Sequence, residues 1–303
     1  MSFSLTVLGS SSALPTSKRF PAAYVLNAHE RFFLIDCGEG TQIQLRKYKI
    51  KLSRLDQIFI SHIHGDHVFG LFGLISSLNL IGRKHELHIY GPGELKEILN
   101  IHIDLFDLHL GYTMTFHSVN CKKSELLYSD KKVEIESFPL KHRIPTCGFL
   151  FREKPKSRSL KKEMLESYNI PIQYRNKIKE GDNYITESGK IIPNNTLTSD
   201  PPPSRSFAYC TDTLYNRGVI SKIRSVDLLF HESTFMEDEA KRAKETFHST
   251  AKQAATIAKE AKVKQLLLGH FSARYKDLSP LLKEAKSIFN EVVLAEEGNT
   301  IDI

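Results

Sequence analysis

The chain has 303 residues, 41% of them hydrophobic, with 42 Lys and Arg against 35 Asp and Glu for a net charge of +7. That apolar share is enough for one large core or two modest ones, while the basic balance favours a polyanionic partner. The apolar stretch 68–81 is interrupted by Gly70, Gly73, Ser76, Ser77 and Asn79, Met1 to Leu8 lacks a secretory pattern, and Cys37, Cys121, Cys147 and Cys210 have no paired spacing, so we expect a soluble cytoplasmic protein with reduced thiols and no membrane contact.

Residues 4–8 alternate as a strand, and 24–26 with 31–35 read as a hairpin. The polar loop between them carries the adjacent cations Lys18 and Arg19, which either grip a phosphate or sit at a solvated tip. Asp36 follows the hairpin at a strand end, where it either orients a metal-bound histidine or belongs to a helix-entry turn with no role in chemistry, and 41–47 read as a helix. Residues 57–60 form a short apolar strand that runs into Ser61-His62-Ile63-His64-Gly65-Asp66-His67. Three imidazoles and a carboxylate within six residues suit zinc, with charge to spare for a second ion. We place them on a strand-to-helix loop ahead of an apolar helix ending at Leu80. Strands are then expected at 86–90, 113–119 and 133–140, a helix after Gly91-Pro92-Gly93, and His142 just beyond the last strand.

From 141 to 179 eleven Lys or Arg stand against three acidic residues. Short helices at 160–168 and 172–178 precede a Pro-rich return, 181–203, expected to be irregular. We read 153–204 as an arm inserted into a single domain spanning 1–303. The core resumes with 207–213, an apolar strand ending near Asp212, and 226–230, which ends in His231-Glu232-Ser233-Thr234. His248-Ser249-Thr250 comes just before a helix at 251–261 that Ser249 or Thr250 caps, and 265–269 delivers His270. A helix at 278–290 and a strand at 292–295 close the chain. The histidine loop, His142, Asp212, His231 or His248, and His270 thus all stand at the carboxyl ends of strands, where α/β sheets gather their reactive groups. A binuclear metal centre is the expectation.

These motifs resemble the metallo-β-lactamase superfamily and, within it, short-form ribonuclease Z, the tRNA 3′-processing endonuclease. The carriers are Asp36-Cys37-Gly38-Glu39-Gly40-Thr41-Gln42, His62-x-His64-x-Asp66-His67, Pro139-Leu140-Lys141-His142, the Asp212 strand, His231-Glu232-Ser233-Thr234, His248-Ser249-Thr250 and His270-Phe271-Ser272-x-Arg274-Tyr275. The resemblance implies an α/β, four-layer αββα sandwich with two zinc ions per subunit, or manganese in their place. His62, His64 and His142 would hold one ion, Asp66, His67 and His270 the other, with Asp212 between them. Asp66, His248 and Glu232 are the implied catalytic residues: Asp66 orients a metal-activated hydroxide, and His248, held by Glu232, handles the leaving oxygen.

The implied substrate is a tRNA precursor, cut to leave a 3′-hydroxyl on the tRNA and a 5′-phosphate on the trailer. Lys154, Lys156, Arg158, Lys161 and Lys162 of the arm, with Lys18, Arg19 and Arg274, are its expected contacts, and a homodimer the expected assembly. Two positions depart from the family pattern. The early loop reads Pro15-Thr16-Ser17-Lys18-Arg19-Phe20 where many members have PxKxRN, and Lys252 stands where some relatives carry arginine. A hydrolase of a small phosphodiester or other ester on the same scaffold is the competing expectation.

Overall fold

Period-two alternation in the first strands dictates the layering. In the computed structural model, which describes residues 2–303, Phe3, Leu5 and Val7 of β1 (Phe3–Gly9), Tyr24 and Leu26 of β2 (Ala23–Ala28), Phe33 and Ile35 of β3 (Arg31–Ile35) and Phe59 of β4 (Leu55–Phe59) enter one core. Their neighbours Leu8, Val25, Leu34 and Ile58 enter a second. A sheet apolar on both faces must be covered on both. Helices Thr41–Lys47, Gly65–Leu80 and Glu94–Leu105 cover one face through Leu45, Leu71, Leu74, Leu78, Leu95 and Leu99.

A second sheet covers the other. It begins after β5 (Leu87–Gly91) and β6 (Met114–Ser118) with β7 (Glu125–Ser129), β8 (Val133–Pro139) and β9 (Cys147–Glu153). Between the sheets Phe59 meets Phe149 and Phe151 at 5.5 and 5.7 Å, and Tyr24 meets Phe230 at 4.7 Å. Helices Ala251–Ala261 and Ser279–Lys286 add Ala254, Ile257, Ala258, Leu281 and Ala285 to the same core, giving the expected αββα order of layers.

Glu153–Ser204 forms a separate compact unit. Its own small core holds Ile170, Ile178, Tyr184, Ile192 and Leu197. Strands β10 (Ser159–Leu160) and β13 (Thr198–Ser199) pair antiparallel, as do β11 (Tyr184–Ile185) and β12 (Ile191–Ile192), around helices Lys162–Ser167, Ile172–Glu180 and Asn194–Leu197. The return chain is therefore regular in part, from Tyr184 to Ser199, and irregular beyond it: Tyr184 and Ile192, alternate residues of two very short strands, are buried in the hairpin.

The larger unit then adds β14 (Ser206–Cys210), β15 (Leu228–Glu232), β16 (Gln265–Gly269), β17 (Val292–Leu294) and β18 (Thr300–Asp302). The two seven-stranded sheets run β18-β1-β2-β3-β4-β5-β6 and β17-β16-β15-β14-β9-β8-β7. Strands β3 to β6 are mutually parallel, as are β14 to β17, so the carboxyl ends of β4, β14, β15 and β16 gather four loops. Among the described residues no helix is long and apolar enough to cross a membrane, and all four cysteines are buried and unpaired.

Candidate metal centre

Backbone geometry aims the site before any side chain does. Asp36 and His270, just past the ends of β3 and β16, both hold left-handed φ values, 55° and 60°. Such a conformation costs a residue with a Cβ about 1–2 kcal/mol and is retained where surroundings over-determine it. Helix Gly65–Leu80 starts at Gly65 with His64 as its N-cap, so Asp66 and His67 sit in the first helical turn rather than on the expected loop. Gly70 permits this docking: a Cβ there would fall 1.9 Å from the Gly38 carbonyl oxygen, and the Gly70 amide donates to Cys37. Thr250 caps helix Ala251–Ala261 through a reciprocal pair with Gln253, which fixes His248 two residues earlier.

These supports bring the seven predicted ligand residues together. His62, His64, His142 and Asp212 form one group whose ligand atoms lie within 4.8 Å of one another, and Asp66, His67 and His270 form another. Asp212 faces both. Its Oδ1 lies 3.3 Å from His67 Nε2 and 3.1 Å from His270 Nε2, and its Oδ2 lies 3.6 and 3.7 Å from His62 and His142 Nε2. A third grouping, Asp212 with His248 and His270, shares two members with these. His231 is buried away from all three, its Nδ1 donating to the Glu232 carbonyl at 2.8 Å.

Outer partners fix four of the rings. His67 Nδ1 donates to Asp36 Oδ2 at 2.7 Å, and Asp36 also accepts from the Ser61 amide, Ser61 Oγ and Tyr209 hydroxyl. Because Ser61 Oγ donates to Asp36, it accepts from His62 Nδ1 at 3.0 Å. His142 Nδ1 donates to the Phe247 carbonyl at 3.0 Å. Thr234 Oγ1 donates to Glu232 Oε2 at 2.7 Å and so accepts from His270 Nδ1 at 2.9 Å. Four imidazoles thereby turn Nε2 lone pairs inward, the arrangement that outer-sphere partners impose on metal-binding histidines.

The inward donors call for cations. His62 Nε2 and His142 Nε2 approach the same His64 Nδ1 at 3.0 and 3.2 Å, and one proton on that atom satisfies only one of them. His67 Nε2 is buried without a hydrogen-bond partner. Burial works against a charge on His67, yet Asp66, Asp212 and Asp36 raise its pKa well above the ordinary value, so the pocket attracts positive charge. Burial likewise opposes ionisation of Asp212, but His270, His67 and His62 hold it well below the usual carboxylate range. Nitrogen and carboxylate donors in this mixture fit zinc or manganese.

Beside this centre stands Glu232, fully buried, accepting at Oε1 from His248 Nδ1 at 2.9 Å and from the Thr213 and Ser249 amides. Burial lowers the His248 pKa, but the Glu232 carboxylate more than offsets it and carries it to about 9. A cleft of about 550 Å³ opens over Asp66, Asp212, His142, His248 and His270.

Most of the predicted substrate contacts have protein partners. Lys18 is exposed, whereas the Arg19 guanidinium donates to the Ser272 and Tyr275 carbonyls, tying the early loop to the loop after His270. Arg274 pairs with Glu239 and lies over the Phe235 ring. In the arm, Arg158 pairs with Asp200, Lys156 with Glu153 and Lys162 with Glu166, Lys161 donates to the Asn195 carbonyl, and Lys154 is half-buried. Sequence reasoning missed Thr234 as the support of His270 and Ser61 as that of His62. Ser61 adjoins His62 in the chain, which was an available signal, whereas Thr234 stands 36 residues from His270.

A sandwich with this two-sided histidine and aspartate centre on one sheet edge defines a hydrolase of the metallo-β-lactamase fold. Family models agree: one described as "Anti-Pycsar protein Apyc1" matches residues 3–154, and one described as "Beta-lactamase superfamily domain" matches 198–271. Relatives covering the whole chain are more specific. Ribonuclease Z of Phocaeicola vulgatus is 50% identical over 301 residues, 99% of this chain and 97% of its own length. Ribonuclease Z of Bacteroides thetaiotaomicron is 49% identical over 99% of this chain and 95% of its own length. The crystal structure of human tRNase Z, short form, superposes with a TM-score of 0.71 at 29% identity over 98% of each chain. The chain belongs to the ribonuclease Z family, endoribonucleases of the metallo-β-lactamase fold.

Proposed function

We propose that this chain removes 3′ trailers from tRNA precursors, using two divalent cations held on either side of Asp212. The observation that carries the reading is the two-faced Asp212 carboxylate, set beside a Glu232–His248 pair, in a chain similar from end to end to proteins named Ribonuclease Z. His62, His64, His142 and Asp212 would hold one cation, and Asp66, His67, His270 and Asp212 the other. When bound, such ions supply Lewis acidity, bringing a water's pKa into the physiological range and offsetting charge on phosphate oxygens.

The rest is done by the protein. Asp36, Ser61, Thr234 and the Phe247 carbonyl hold the outward protons of His67, His62, His270 and His142, so that none of these four rings needs to change tautomer when a cation enters. Asp66 stays ionised, since His67 and His270 outweigh its burial, and its carboxylate orients the attacking water. His248 carries a proton at neutral pH and gives it to the leaving 3′-oxygen, while Glu232 fixes its ring through Nδ1. The products are a 3′-hydroxyl on the tRNA and a 5′-phosphate on the trailer.

The basic arm, through Lys154, Lys156, Arg158, Lys161 and Lys162, grips the RNA by its phosphates. Exposed Ile98, Ile101, Leu105 and Phe106, on and just after helix Glu94–Leu105, offer an apolar face for a second copy and support a homodimer. A cytoplasmic location accords with this role. The test is incubation with a 3′-extended precursor, with and without chelator, and mapping of the cut. Cleavage after the last tRNA-encoded nucleotide before the trailer, lost with chelator, is expected. An intact precursor beside rapid hydrolysis of a small ester would instead favour the competing reading, a hydrolase of a small phosphodiester or other ester.

A further inference from the structure

Phe69 is a phenylalanine 64% exposed on the wall of the catalytic cleft, three residues beyond Asp66 in the same helix. Its neighbours Val68 and Leu71 are buried, so the core does not ask for an aromatic at this position. The ring is nevertheless held. A Cβ on Gly65 would lie 2.3 to 2.8 Å from its Cε2, Cζ and Cδ2 atoms, so the ring packs onto the bare first turn of the helix and leaves the rest of its surface to the cleft. A fixed, exposed aromatic ring beside a phosphodiester-cleaving centre is the platform on which a nucleobase stacks, and stacking tolerates any base.

The chemistry selects which base. Phe69 lines the cleft from the Asp66 helix, its ring packed on Gly65, and Asp66 and Pro21 both close on Gly38 beside it. Arg143, Thr246 and His248 line the same cleft from other loops: Arg143 donates to the Glu245 carbonyl, and the His248 ring lies 5.2 Å from His142 and 5.5 Å from His270. The leaving 3′-oxygen, which belongs to the tRNA, must meet His248. The nucleotide that keeps the phosphate is joined to phosphorus through a different oxygen, so it need not share the His248 surface, and Phe69 is an exposed aromatic ring that the rest of the cleft lining offers it. We propose that Phe69 stacks on the base of the first trailer nucleotide and positions the scissile phosphate; this rests on the functional reading above.

The test is steady-state cleavage by wild type, Phe69→Ala and Phe69→Tyr of precursors carrying a normal or abasic first trailer nucleotide, and of one abasic at the last tRNA nucleotide. Phe69→Ala is expected to raise KM by roughly 5- to 100-fold with a smaller change in kcat, and Phe69→Tyr to restore it. Wild type should show the same rise on the substrate abasic at the first trailer position, where Phe69→Ala adds nothing further. Independent, multiplying losses overturn the proposal, as does no loss, or coupling to the tRNA-side abasic position instead. A wild type that cuts none of the precursors removes the functional reading, and with it the role of Phe69.

Discussion

Replacing Asp36 by asparagine takes one acceptor from a point where four donors meet. Asp36 Oδ2 accepts from Ser61 Oγ at 2.9 Å, the Tyr209 hydroxyl at 2.7 Å and His67 Nδ1 at 2.7 Å, and Oδ1 from the Ser61 amide at 2.8 Å. An amide NH₂ cannot take the Oδ1 place, because it would face a backbone N–H that cannot turn; that mismatch costs about 1–3 kcal/mol. In the Oδ2 place the two hydroxyls can rotate to accept. His67 cannot, unless its proton moves to Nε2 and removes the lone pair that faces Asp66 and Asp212. Asp36→Asn should therefore weaken cation binding at the Asp66–His67–His270 group by about 10- to 100-fold, or roughly 1.4–2.7 kcal/mol. Binding at the His62–His64–His142 group should change much less. The metal-free fold should lose about 1–3 kcal/mol in urea unfolding. Zinc titration against a competing chelator resolves the two steps. Unchanged affinity at both steps would refute the reasoning, as would equal weakening of both in a fully stable variant.

Three further outcomes are expected. His248→Ala should slow precursor cleavage by roughly 10²- to 10⁴-fold at unchanged metal content, yet spare most hydrolysis of bis-p-nitrophenyl phosphate, whose leaving group needs no proton; equal losses would exclude the acid role. Deletion of Glu153–Ser204 should abolish precursor cleavage and spare the small diester, and wild-type affinity for tRNA should fall steeply with log salt, so a flat dependence removes the arm's electrostatic role. Burial, opposed by the Phe20 amide, raises Glu297 from 4.5 to about 7. A carboxyl that binds its proton more tightly folded than unfolded loses stability as pH rises from about 4.5 to about 7, so the unfolding free energy of wild type relative to Glu297→Gln should fall across that window. Screening of this partly exposed group limits the change to about 1–2 kcal/mol, and a pH-independent difference would contradict it.

The first sheet and the donors were legible because each rests on local signals. Alternation in β1 to β3 and the dense histidine run need no tertiary knowledge, and His142, Asp212 and His270 each follow a short apolar strand. β9 was not legible: Cys147-Gly148-Phe149-Leu150-Phe151 is buried on both faces, so it lacks alternation, and it lies inside the basic window that pointed to the arm. β7 and β18 are short, and their pairing with β8 and β1 is long-range or irregular in register. Arg19 reads as a phosphate contact in sequence, because nothing local reveals the Ser272 and Tyr275 carbonyls more than 250 residues away. Thr234 was overlooked for a related reason, since the fold brings it to a histidine 36 residues away; Ser61, next to His62, was legible in the chain and was not used.

Anomalous scattering from zinc-loaded crystals probes the two faces of Asp212 most directly. Two peaks are predicted about 3.5–4 Å apart, one among His62, His64 and His142, the other among Asp66, His67 and His270, each within bonding distance of a different Asp212 oxygen. A single peak, or zinc bound to His248, would contradict the account.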